Sequence, residues 1–93
     1  MIRSFRDKKT ERLFAREQVR DFTHIASVAL RRLASLHAAQ ALSDLRIPPS
    51  NRLEALSGDR NGEYSIRIND QYRICFTWKE GNAEDVEITK HYR

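Results

Sequence analysis

With only three glycines, two prolines, one cysteine and one tryptophan in 93 residues, several kinds of chemistry have no material to build on. Neither a glycine-rich phosphate loop nor a strand-to-helix nucleophile elbow occurs. A lone cysteine, Cys75, excludes an internal disulfide, and its position inside a predicted strand suits a small packing residue better than a reactive thiol. No apolar run approaches the ~18 residues of a membrane span. The opening Met1-Ile2-Arg3-Ser4-Phe5 lacks the apolar core of a secretory signal, so the expectation is a cytoplasmic protein with no membrane partner. His24 and His37 stand at helix positions without clustered carboxylates or cysteines, which makes them structural or solvated; no metal site and no cofactor are expected. Repeats and low-complexity tails are also missing.

What is present fits one small domain over residues 1–93, 40% hydrophobic and 32% charged. A chain of this size buries only about 60–65% of its unfolded surface, so one layer of helices on one sheet is the natural solution. The net charge of +4 is unevenly placed: twelve Lys or Arg face seven Asp or Glu up to Arg60, then five face six. That excess biases the partner towards nucleic acid or an acidic protein, although basic residues on helices commonly form a solvated face.

The order of elements can be read from periodicity. Ile2 to Phe5 is β-like and suited to join a C-terminal sheet. Asp7 is placed as the N-cap of a charged helix, Lys8 to Gln18, with Leu13 and Phe14 turned inward. After a break at Arg20 to Thr23, a second helix from His24 to about Ala41 carries Ile25, Ala29, Leu33 and Leu36 on one stripe. Pro48-Pro49 ends it, and the stretch to Gly62 reads as a loop with a short extended piece at Arg52 to Leu56. Three strands follow. In Tyr64-Ser65-Ile66-Arg67-Ile68 the apolar residues alternate with Ser65 and Arg67; Asn69-Asp70-Gln71 supplies a turn; Tyr72 to Trp78 repeats the alternation with Arg73, Cys75 and Thr77 on the second face. A turn at Lys79 to Asn82 leads into Ala83 to Tyr92, where Val86 and Ile88 face the core and Glu87, Thr89 and His91 face away. The fold class is α+β: a strand and two N-terminal helices on one face of a small antiparallel sheet completed by a three-strand meander.

Since the helices cover the isoleucine face, the Arg67/Arg73/His91 face is left to water or a ligand. Cutting RNA with its own 2′-hydroxyl needs a base, an acid for the leaving 5′ oxygen, and positive charge around the phosphorane. Arginine suits the last task because its planar fork stays charged and reaches two phosphate oxygens. His91 suits proton transfer, with an unperturbed pKa of about 6.5. Lys90 and Tyr92 need larger shifts, and Glu54 is a candidate base if its loop folds over the sheet. Tyr64 and Tyr72 are assigned to the core by parity. The residues by themselves leave both a basic binding module and a small nuclease open.

The segment from Pro48 to Arg60, continued by Gly62-Glu63-Tyr64-Ser65-Ile66-Arg67-Ile68-Asn69-Asp70-Gln71-Tyr72-Arg73-Ile74-Cys75-Phe76 and Asp85-Val86-Glu87-Ile88, closely resembles the HigB-like plasmid maintenance killer proteins of the RelE/ParE toxin superfamily. The likeness begins at Ile2-Arg3-Ser4-Phe5 and spans essentially the whole chain. It implies two helices on a small antiparallel sheet and the activity of an mRNA interferase, cutting translated mRNA in the ribosomal A site to cause growth arrest. It implies as partners a cognate HigA-like helix-turn-helix antitoxin, the ribosome and mRNA, with operator DNA engaged only through the antitoxin. By this analogy Arg67, Arg73, His91 and Tyr92 are the catalytic candidates, and Arg52, Glu54, Arg60, Lys90 and Arg93 the RNA-binding ones. One departure stands out: where family members commonly end in an acid, a tyrosine and a histidine, this chain reads Lys90-His91-Tyr92, which leaves open whether His91 or Tyr92 moves a proton. The resemblance also admits a ParE-like non-enzymatic inhibitor of DNA gyrase, or a weakened toxin kept as antitoxin partner and operon co-repressor.

Overall fold

The computed structural model describes residues 1–91. Helix α1 spans Lys8–Phe14, a 3-10 turn over Arg20–Ile25 runs into helix α2, Ala26–Ala38, and four strands follow: β1 (Glu54–Ala55), β2 (Glu63–Arg67), β3 (Tyr72–Lys79) and β4 (Asn82–Lys90). The strands form one antiparallel sheet in the order β1-β2-β3-β4. Ile2 and Phe5 bridge in parallel to Ala83 and Val86, so the N-terminal segment lines the outer edge of β4. This is the expected α+β arrangement, with β1 added to the meander.

Both helices are shorter than their periodicity suggests. From Ala15 to Gln18 every side chain is exposed, so extending α1 would bury nothing. The helix closes in a Schellman arrangement instead: the Glu17 amide donates to Arg12 C=O and the Arg16 amide to Leu13 C=O, with Arg16 at φ 69. Asp7 is the N-cap residue, but its side chain makes no capping hydrogen bond. In α2, Ala29, Leu33 and Leu36 are fully buried and pack with Ile66, Ile74, Phe76 and Val86 of the sheet. Truncating one of the leucines to alanine costs about 2–5 kcal/mol in such a setting.

Two turns set the sheet's register. At the β2–β3 hairpin Asn69 Oδ1 accepts from the amides of Gln71 (2.8 Å) and Tyr72 (2.7 Å), an Asx turn that fixes the hairpin. Glu80 and Gly81, at φ 53 and 79, connect β3 to β4 in the doubly positive conformation that a two-residue hairpin requires. Within β4 the register shifts opposite Cys75 and Thr77, where Asp85 has φ 53. This bulge lets Ala83 and Val86, three positions apart, both face the core at 0% exposure. Ser4 Oγ accepts from the freed Asp85 amide at 2.9 Å.

Candidate active site

Antiparallel partners share a face, so the register shows what lies on the side of the sheet away from the helices. One row is Glu54, Ser65, Cys75 and Glu87; the next is Arg67, Arg73 and Thr89. Arg67 and Arg73 are directly opposite each other. His91 follows Thr89 by two positions, and its amide donates to Gln71 C=O at 2.8 Å, which carries its ring to the same end. Arg52, Glu54, Ser65, Arg67, Asp70 and His91 line a cleft of about 380 Å³.

The two ends of this face differ. Around Cys75 it is closed: Arg60 donates to Glu63 (2.8 Å) and Glu87 (2.9 Å), and Arg6 adds contacts to Glu87 (3.2 Å) and Glu63 (3.7 Å). Burial works against the charged Arg60 guanidinium, but hydrogen bonds to Glu87 and Glu63 more than offset it, and its pKa ends above the ordinary value. Cys75 is buried at this end, and desolvation raises its thiol pKa although Arg73 and Arg60 pull it down. The expectation that the whole second face is left to water or a ligand is therefore corrected: the loop bearing Arg60 folds over half of it, because two sheet carboxylates need a cation.

At the open end the cationic groups have few partners. Among the described residues, Arg73 Nε and His91 Nε2 are buried atoms with no hydrogen-bond partner. Arg67 pairs with Asp70, on the hairpin turn. Behind it, Arg32 of α2 donates from Nε to Arg67 C=O (3.1 Å) and from its terminal nitrogen to Ser50 Oγ (3.5 Å), tying helix, loop and strand together. The loop is anchored again by buried Asn51, whose amide nitrogen donates to Leu45 C=O (3.1 Å) and Ile47 C=O (3.3 Å). Next to it stands Arg52, exposed at φ 46.

Of the candidates read from sequence, Arg67 and His91 thus share the cleft with Arg52 and Glu54, which join them because β1 pairs with β2; Arg73 stands opposite Arg67 on the same face but is not among the residues that line the cleft. Arg60 is engaged in the closed end. Lys90 pairs with Tyr72 and sits 6.0 Å from that ring, on the opposite side of the sheet from the arginines. Tyr92 and Arg93 lie outside the described residues. Asp70, Asn51 and Ser65 are site or supporting residues that the sequence reading assigned to a turn, a loop and a strand, and Arg32 is a supporting residue to which it gave no role. His37 Nδ1 accepts from the Ile2 amide at 3.1 Å, and His24 packs on Tyr72, so neither belongs to the cleft. No cluster of three or more His, Cys, Asp or Glu able to hold a metal occurs among the described residues, and none of their helices is long and apolar enough to cross a membrane.

Two helices on a four-stranded antiparallel sheet form an α+β fold like that of the RelE-like toxins. The fold is shared with the YoeB-YefM complex from Staphylococcus aureus (TM-score 0.58, 16% identity, 99% of each chain) and with a YoeB/ParE toxin from Agrobacterium tumefaciens (TM-score 0.50, 18% identity, 78% of this chain and 85% of that one). The family described as "RelE-like toxin of type II toxin-antitoxin system HigB" matches residues 3–91. Toxin HigB-1 of Vibrio cholerae is 41% identical over 93 residues, covering 98% of each chain, and an uncharacterized protein of Haemophilus influenzae is 33% identical over 69 residues, 74% of this chain and 68% of its own. The chain belongs to the HigB-like toxin family and is the toxin type of a type II toxin–antitoxin system.

Proposed function

We propose that this toxin is a ribosome-dependent mRNA endonuclease. The observation that carries the reading is a cleft lined by Arg67 together with a carboxylate, Glu54, and an imidazole, His91, with Arg73 directly across the strand pair from Arg67 on the same face. Arg67 and Arg73 grip the scissile phosphate and neutralise the phosphorane. Glu54 takes the proton from the 2′-hydroxyl, whose oxygen attacks phosphorus; the P–O5′ bond breaks, and His91 protonates the departing 5′ oxygen, leaving a 2′,3′-cyclic phosphate. Tyr92 is the alternative proton donor. Arg52 steers the neighbouring phosphate, while the basic helices rest against ribosomal RNA in a contact whose strength falls steeply with salt.

The partner that neutralises the toxin is a HigA-like helix-turn-helix antitoxin, a reading supported by family membership and by the toxin–antitoxin complex among the structural neighbours. Sequencing RNA 5′ ends after induction of the toxin alone tests the enzymatic reading. Codon-phased cuts are expected in translated messages, absent from untranslated ones, and lost together with growth arrest in Arg73→Ala. Damaged DNA without phased RNA cuts would replace the reading with that of a gyrase inhibitor.

A further inference from the structure

The Asn69-Asp70-Gln71 turn leaves one side chain without a structural task. Asn69 closes the turn with two backbone hydrogen bonds, whereas Asp70 is 92% exposed in its side chain and, among the described residues, pairs only with Arg67, itself 29% exposed. An ion pair this accessible adds little to stability. The backbone at each end of the pair is nevertheless held in place, the turn by Asn69 and the Arg67 carbonyl by Arg32 at 3.1 Å. Among the described residues lining the cleft, Arg52 and Arg67 are balanced by Glu54 and Asp70, so a phosphate approaching their guanidiniums meets no net charge from them.

Resting on the reading that Arg67 grips RNA phosphate, we infer that Asp70 is an internal competitor for that phosphate: its carboxylate occupies the Arg67 guanidinium in the free toxin and must be displaced before RNA is held. Loose RNA, meeting the cleft with few other contacts, is disfavoured. RNA held in place by a larger assembly supplies the additional contacts that displace the carboxylate. Asp70 thereby acts through Arg67 as a specificity residue, favouring presented RNA over free RNA.

The test is binding of a short single-stranded RNA carrying 2′-O-methyl groups, which cannot be cleaved, followed by fluorescence anisotropy at low and moderate salt. Asp70→Asn is expected to tighten binding roughly three- to tenfold, the effect of removing one negative charge at contact distance in a hydrated site. The gain shrinks with added salt. Asp70→Ser behaves likewise, and Asp70→Glu stays within about twofold of the parent because it keeps the charge. In an Arg67→Ala background the gain from Asp70→Asn vanishes. Absence of any gain, whether or not the parent binds measurably, overturns the inference, as does a gain that persists undiminished without Arg67. Cleavage of translated mRNA, followed in parallel, separates the two levels. Arg67→Ala retaining both cleavage and binding brings down the assignment of Arg67 as the phosphate grip, on which the inference rests, whereas Arg67→Ala losing both while Asp70→Asn gains nothing brings down only the competitor role.

Discussion

Replacing Arg73 with methionine should make this toxin more stable while disabling it. Arg73 is half-buried on β3, its Nε is a buried donor with no partner among the described residues, and Arg67 is its direct cross-strand neighbour. A buried unsatisfied donor costs roughly 1–3 kcal/mol, and two like charges opposite each other on a sheet add a few tenths to about 1 kcal/mol. Methionine keeps most of the aliphatic stem and removes both penalties. Because the guanidinium tip is partly hydrated, the lower part of the range applies, a gain of about 1–2 kcal/mol. In a domain of this size each kcal/mol moves Tm by about 4–8 °C, so the midpoint of thermal unfolding followed by circular dichroism should rise by about 4–16 °C. Arg73→Lys, retaining the charge, should show a smaller gain or none. Saturating 2′-O-methyl RNA should raise the parent's Tm, by the linkage that gives about 2.7 kcal/mol at a hundredfold excess over Kd, and leave Arg73→Met nearly unmoved. An unchanged or lower Tm in a well-folded Arg73→Met would refute the reasoning, since Arg73 would then be held by interactions that help the fold.

Asn51→Ala should lower stability by about 1–3 kcal/mol in urea unfolding, because the Leu45 and Ile47 carbonyls lose their donor in a buried place. Arg60→Ala leaves Glu63 and Glu87 with only the longer contacts to Arg6; a loss of about 1–2 kcal/mol and faster labelling of Cys75 by a thiol reagent are expected. Cys75 also gives the fold an alkaline weakness. Burial raises its pKa in the folded chain, so above about pH 8.5 the unfolded thiol loses its proton first, the unfolded state binds fewer protons, and stability falls as pH rises towards the folded value. Cys75→Ala should flatten that part of the stability-against-pH curve measured by chemical denaturation.

Strand parity made half of the site legible before any coordinates. It worked between Tyr64 and Trp78 because β2 and β3 pair without a bulge, so alternation along one strand carries unbroken to the next. It does not extend unaided through β4, where Asp85 takes a left-handed conformation without being glycine and resets the faces for Ala83. Arg16 hides the end of α1 for the same reason: a Schellman closure with arginine in the left-handed position has no glycine to announce it. Covering of Cys75 by the 57–62 loop was out of reach too, since it depends on Glu87 capturing Arg60 from 27 positions away while Glu63, three positions on, holds it from the other side. Asp70 was overlooked for a different reason: its residue type already satisfied the chemistry of a turn, and one sufficient local role masks a second.

The sealed end and the open end of the second face do separate work. Arg6 and Arg60 cancel Glu63 and Glu87 within one lattice, which contributes no net charge to the face. The charge of the open end is thereby left to Arg52, Arg67 and Arg73, offset by the exposed carboxylates Glu54 and Asp70, of which Asp70 is paired with Arg67. Under the proposed endonuclease reading, an RNA phosphate drawn to this face would settle at the open end rather than slide over a broad basic surface. Positioning follows from the same division, because the closed lattice pins β2 to β4 while Arg32 fixes the strand end from behind. Substitutions in the lattice should accordingly be read first in unfolding experiments, and those at the open end first in RNA binding, because the sheet joins the two ends mechanically while their charges are balanced separately.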